Sequence, residues 1–80
     1  MKVYVVADEN FGGNELKEIK KIFASREKAE DYAIKLAETQ FAECGIEKEN
    51  RHCLSVGNNE FFEDDDWNVV ISIKEYEVIE

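Results

Sequence analysis

"ELKEIKKIFASREKAEDY", residues 15–32, admits two folds. Leu16, Ile19, Ile22 and Phe23 have helical spacing, so one helix could run from Asn14 to Cys44. The same stretch is also long enough for a strand that follows the Gly12-Gly13 turn and ends before a separate helix. On a helical wheel the apolar centre of 16–23 lies roughly 70° from that of 29–37. A break at Ser25 accounts for the shift, because serine is a preferred N-cap and Arg26-Glu27 opens a first turn. The capping box is incomplete, since Lys28 stands where glutamate or glutamine would close it.

Downstream of that break, residues 26–44 read as a helix. Ala29, Tyr32, Ala33, Leu36, Ala37 and Cys44 fall on one stripe, with Gly45 placed to terminate it. Cys44 is thereby expected to face the core. Ile34 and Phe41 lie seven residues apart on the flank of the stripe, and belong either to a wide buried face or to an apolar patch for a partner. Upstream, "KVYVVAD" (2–8) is β-branched and aromatic and apolar at both parities, as in an interior strand covered on each face. "DENFGGN" (8–14) ends it in turn formers, the glycine pair lacking the lysine and spacing of a phosphate loop. "IEKENRHCLSVG" (46–57) begins as a polar loop and holds a short strand near Cys53–Val56. In "WNVVISIKEYEVI" (67–79), Trp67, Val69, Ile71 and Ile73 share one parity while Tyr76 and Val78 take the other. That switch predicts a bulge or bend near Lys74-Glu75.

Three segments, "KVYVV" (2–6), "IFASREKAEDY" (22–32) and "IKEYEVIE" (73–80), resemble a group of small, largely uncharacterised phage and bacterial proteins. Those share a first strand, an FxSREKAExY strand-to-helix junction and a terminal IxEYEV strand. The resemblance implies β-β-α-β order, and so reads 15–24 as a strand. It implies no activity, because the shared motifs are core residues and a cap. Residues 45–66 go beyond the shared pattern. The expected architecture is one α+β domain over 1–80: a mainly antiparallel sheet of three or four strands with one long helix across one face.

Eighty residues lie near the lower limit for a domain without disulfide or metal staples. With 44% hydrophobic residues and no proline, the composition is that of a folded chain. No apolar run reaches membrane-span length, and "MKVYVVADEN" meets Asp8 and Glu9 too early for a signal peptide. The chain is expected to be cytoplasmic, in a bacterial host cell, with Cys44 and Cys53 reduced.

The net charge is −9, and −7 of it falls between Glu60 and Glu80. No basic stripe offers a phosphate backbone a binding surface, so direct nucleic-acid binding is not expected. "NNEFFEDDDWN" (58–68) concentrates the bias, with Glu60, Glu63, Asp64, Asp65 and Asp66 interleaved with Phe61, Phe62 and Trp67. One reading is a polar hairpin loop whose rings fold back into the core. The other is a nucleic-acid mimic, in which carboxylates occupy a basic groove and the rings anchor them.

Other chemistries fit less well. Asp64, Asp66, Asn68 and Glu75 fall on EF-hand positions, but Val69 stands where that loop needs glycine and "VVISI" is strand. Cys44, His52 and Cys53 are three soft ligands where a structural zinc site takes four. His52 and Cys53, adjacent on a strand, point to opposite faces and do not make a nucleophile pair. The expectation is a non-enzymatic acidic protein with no cofactor and no catalytic residue. It would inhibit a basic, nucleic-acid-handling host protein, such as a CRISPR or restriction component, through residues 60–67. The alternatives are a homodimer formed through a sheet edge or the Ile34/Phe41 flank, and a small metal-binding protein.

Overall fold

The computed structural model describes residues 1–10 and 18–79. The Gly12-Gly13 turn and the start of the expected second strand lie outside them. Five strands and one α-helix are described: β1 (Lys2–Asp8), β2 (Glu18–Phe23), α1 (Arg26–Glu43), β3 (Arg51–Val56), β4 (Asn59–Asp64) and β5 (Val70–Glu77). A single 3₁₀ turn (Lys48–Asn50) leads into β3. The strands form one sheet in the order β2-β1-β5-β4-β3, antiparallel at every junction.

The α+β class and the strand-break-helix reading of 15–32 agree with the described residues, while the strand number and order are corrected. The described residues hold five strands in β-β-α-β-β-β order, because residues 51–64 form a complete hairpin instead of a loop. Gly57 at φ 62° makes its turn, at the position where a type II′ hairpin turn takes glycine.

Ser25 ends β2 and starts α1. Its extended backbone points the hydroxyl back to accept from the Lys28 N–H at 3.3 Å. At the other end Gly45 adopts φ 70°, the Gly45 N–H donates to Ala42 O and the Ile46 N–H to Phe41 O. That is the Schellman pattern, which satisfies the last carbonyls and carries Ile46 back onto the core. It also turns Cys44 outward. The thiol expected in the core is exposed, because the helix ends one residue earlier and the chain swings away there.

Ala29, Ala33, Ala37 and Phe41, four residues apart, are the buried line of α1. Three methyl groups in succession let the helix lie close to the sheet, over Val6, Ile71 and Ile73. Phe41 is core, as the wide buried face has it and not as part of an apolar patch for a partner, while Ile34 stays 40% exposed.

β1 is interior, as its double parity suggests, with Val6 and Ala7 buried. The bulge expected near Lys74-Glu75 is absent: β5 pairs with β1 in unbroken register from Ile71 to Glu77. The irregularity lies instead between β1 and β2, at Val6/Ala7. A turn at residues 65–66 and an irregular stretch over 67–69 precede β5, so Trp67 is not a strand residue. Among the described residues no helix is long and apolar enough to cross a membrane.

Candidate interaction surface

The acidic stretch is a strand, so its neighbours part company. Along β4 successive side chains leave opposite faces of the sheet. Phe62 stands opposite Cys53 and Ile71, and Glu60 opposite Ser55 and Ile73. Since Ile71 and Ile73 lie beneath α1, Glu60, Phe62 and Asp64 take the helix side. Phe61, opposite Leu54 and Ser72, and Glu63, opposite His52 and Val70, take the open side. The eight residues expected to form one partner-binding surface are therefore divided between two faces.

Asp64 is corrected most sharply. Its side chain is sealed in, the residue being 2% exposed, and it cannot be displayed to a groove. Its carboxylate accepts from the Val69 N–H at 2.8 Å, and from the Asp66 N–H and the Asn68 amide at 3.3 Å each. Burial pushes the carboxyl pKa upward, but these donors outweigh it and hold the group below its ordinary range. Asp64 is the hub of the turn that joins β4 to β5. Glu60 is turned inward as well, toward Arg26, whose guanidinium also reaches Glu75 and the Asn58 carbonyl. Burial raises the Glu60 pKa, a hydrogen bond with Glu30 of α1 raises it further, and Arg26 opposes both.

What the turn presents is Trp67. Its backbone sits at φ 57°, a left-handed conformation that a bulky side chain rarely adopts. Three contacts hold it there: its own N–H donates to Asp64 O, and the Asn10 side-chain amide donates to the Trp67 and Asn68 carbonyls at 2.8 and 3.0 Å. Asn10 is itself fixed by its N–H donating to Asp8 Oδ1. The indole is 66% exposed.

Beside it an open cleft of about 590 Å³ is lined by Glu9, Phe61, Glu63, Asp66, Trp67 and Val70, among others. Glu9 accepts from Ser72 Oγ at 2.7 Å and lies 3.6 Å from Lys74 Nζ. Next to the cleft, His52 of β3 pairs with Asp65. The open side thus gathers Glu9, Glu63 and Asp66 around two aromatic rings, with Lys74 engaging Glu9 and the His52–Asp65 pair standing at the adjoining turn.

Glu9 and Asn10 were not singled out in the sequence. The signal was present: β1 and β5 were both legible, and antiparallel pairing sets the end of one beside the start of the other. That pairing brings residues 9–10 against 67–68, where the Glu9 N–H donates to Val70 O.

Cys53 lies on the helix side of β3 and Cys44 at the helix end, both as thiols. Burial first, then the charges of Glu60 and Glu30, push the Cys53 thiol upward, away from the reactive thiolate. Among the described residues no three His, Cys, Asp or Glu side chains are grouped to hold a metal ion. No family model matches the chain, and no match is found to a curated protein or to a solved structure.

Proposed function

We propose that this is a non-enzymatic binding protein whose open-face cleft presents carboxylates and an aromatic anchor to a basic protein surface. The observation that carries the reading is Trp67. A large exposed ring is held in a left-handed backbone by the Asp64 backbone carbonyl and an asparagine clamp, beside Phe61 and among Glu9, Glu63 and Asp66. Unfavourable backbone conformations that the surroundings enforce cluster at binding sites. Tryptophan is also the residue most enriched among interface hot spots. Surrounding carboxylates steer a cationic partner and set the salt dependence of the encounter.

The partner class is a host protein with a groove built for phosphates, and the activity is its inhibition by nucleic-acid mimicry. Resemblance of the 2–6, 22–32 and 73–80 segments to small phage and bacterial proteins supports a mobile-element setting. CRISPR and restriction proteins are the partner class such a setting suggests. Glu63, Asp65 and Asp66 supply charge, while Trp67 and Phe61 supply the apolar contact. Glu60, Phe62 and Asp64 hold the fold instead.

The test is capture of bacterial host proteins on the tagged protein at low and high salt, followed by competition with a double-stranded oligonucleotide. Wild type should retain a nucleic-acid-binding protein, release it in salt and be displaced by DNA. E63Q/D65S/D66S and W67A should each lose it while keeping the wild-type melting transition. Retention by both variants, or indifference to DNA, overturns the reading. Asp64 is left intact in these variants, because changing it tests the fold and not the surface.

A further inference from the structure

The two edges of the sheet are built differently. β2 carries Lys20 and Lys21, and its pairing with β1 is broken by a register shift, both of which deter an additional strand. β3 closes the other edge with one hydrogen-bonded neighbour, β4, and a register unbroken from Arg51 to Val56. Between His52 and Val56 it has no lysine, proline or bulge. An edge of this kind is a template for an incoming backbone.

A groove runs beside that edge. α1 stands over β1 and β5 and reaches β2 and β4 at its sides, leaving the helix side of β3 largely uncovered. The space between, about 350 Å³, is lined by Ile34, Phe41, Arg51, Cys53 and Phe62 among others. Phe41 and Phe62 form an apolar floor, Ile34 stands on the helix rim, and the Arg51 guanidinium lies 5.3 Å from the Phe41 ring centroid. A strand added to β3 would point alternate side chains into this space.

Charge sets the direction. Lys48 and Arg51 lie where β3 begins, whereas Glu60 is paired with Ser55 near its end and meets Glu30 of α1 there. An antiparallel strand starts beside Ser55 and finishes beside Arg51. Its amino-terminal end therefore meets Glu60 and Glu30, with Arg26 paired to Glu60, and its carboxy-terminal end meets Lys48 and Arg51, with Glu38 of α1 on the groove rim. We infer that the β3 edge and the α1–β3 groove bind an extended peptide segment of a partner protein, antiparallel to β3, with apolar residues at alternate positions between a basic amino-terminal end and an acidic carboxy-terminal end.

A second copy of the chain is a poorer occupant. Joining two β3 edges would leave the β5 strands five strand spacings, about 24 Å, apart. Packed helices stand about 8–10 Å apart, so the two copies of α1 could not close the grooves between them. Each copy also brings a net charge of −9. The inference does not rest on the open-face cleft, which lies on the other side of the sheet.

The probe is a synthetic peptide, KKTLTVTLEE, titrated into isotope-labelled full-length protein and followed by backbone amide shifts. Saturable shifts are expected along 51–56 and at Ile34, Glu38 and Phe41. A nitroxide on the peptide amino terminus should broaden Ser55 and Glu60 more than Lys48 and Arg51. N-methylation at alternate peptide residues, which removes ladder donors without touching the protein, should weaken binding at least tenfold. Ile34→Glu should weaken it several-fold, and Trp67→Ala should leave it unchanged. Equal affinity for the N-methylated peptide, broadening at the Arg51 end, or no saturable binding overturns the inference. So does concentration-dependent self-association with intermolecular contacts between β3 strands, which would make a second copy the occupant.

Discussion

Glu60, Phe62 and Asp64 lie one residue away from Phe61, Glu63 and Asp65, and the two sets do different work. The first set faces the helix, where one ring joins the core and both carboxylates have bonded partners. Phe61 and Glu63 of the second face the cleft beside Trp67, and Asp65 pairs with His52 next to it. Composition does not separate them, since each set has one phenylalanine and two acids. What separates them is the two-residue period of a strand, which turns a dense acidic run into one structural row and one displayed row. The comparison predicts that adjacent substitutions of identical chemistry will have opposite consequences.

The largest contrast is between Asp64 and Asp66. Asp64→Ala should cost about 3 kcal/mol, because it leaves the buried Val69 N–H without an acceptor and unpins the turn. For a domain of this size that corresponds to a fall in Tm of about 15 °C. Asp66→Ser should remain within about 0.5 kcal/mol of wild type, since its carboxylate is exposed. Urea titration of both variants measures the difference, and equal midpoints would dissolve the distinction between the rows. Next come the phenylalanines. Phe62→Ala should destabilise by about 2 kcal/mol and Phe61→Ala by about 1 kcal/mol, because only Phe62 packs against the buried cluster. A reversal of that order would mean that the open face is the more tightly packed one.

Trp67 sharpens the comparison by changing its sign. Left-handed backbone costs an L-residue roughly 1–2 kcal/mol, a penalty that glycine escapes. Trp67→Gly should raise stability by about 0.5 kcal/mol, the relief being partly offset by the greater freedom of glycine in the unfolded chain. The same variant should lose the captured partner. Greater stability with lost binding is the signature of a residue retained for contact. A destabilised variant would show instead that the indole supports the fold.

These contrasts also mark how far the sequence could be read. The helix was legible because alanines at four-residue spacing and a cap at each end agree, from Ser25 to Gly45. The 15–32 junction needed the resemblance as well, since Ile19, Ile22 and Phe23 satisfy both periods. The β3–β4 hairpin was obscured by its own charge. "EFFED" lacks apolar alternation because Glu60 and Asp64 are inward yet ionisable, their partners being Arg26 and the backbone donors of the next turn. Gly57-Asn58 was the legible sign of that hairpin. The open-face cleft was half legible: its charge and rings stood together in the chain, but Glu9 and Asn10 arrive only through pairing of β1 with β5.

The smallest expected effect is a change in pH dependence, and the two inward carboxylates should produce it in opposite directions. The Glu60 pKa is raised above 4.5, by burial and then by the hydrogen bond with Glu30, with Arg26 opposing. The folded state thus holds that proton more tightly than the unfolded chain. Its contribution is most favourable below 4.5 and is lost as pH rises through the folded value. The Asp64 pKa is lowered from 3.8, because backbone donors outweigh the cost of burial. Its contribution is complete above 3.8 and is lost as pH falls through the lowered value. Acidifying wild type from neutral pH should therefore bring a gain from Glu60 before the loss from Asp64. Glu60→Gln removes the first without touching the second: at neutral pH it relieves the repulsion with Glu30, at the cost of a 3.6 Å ion pair with Arg26. Urea midpoints of wild type and Glu60→Gln should converge as pH falls toward 4.5, the other carboxyl groups cancelling in the difference. A gap that stays constant over that range would mean that burial and Glu30 do not raise the Glu60 carboxyl, and that its ion pair with Arg26 governs it instead.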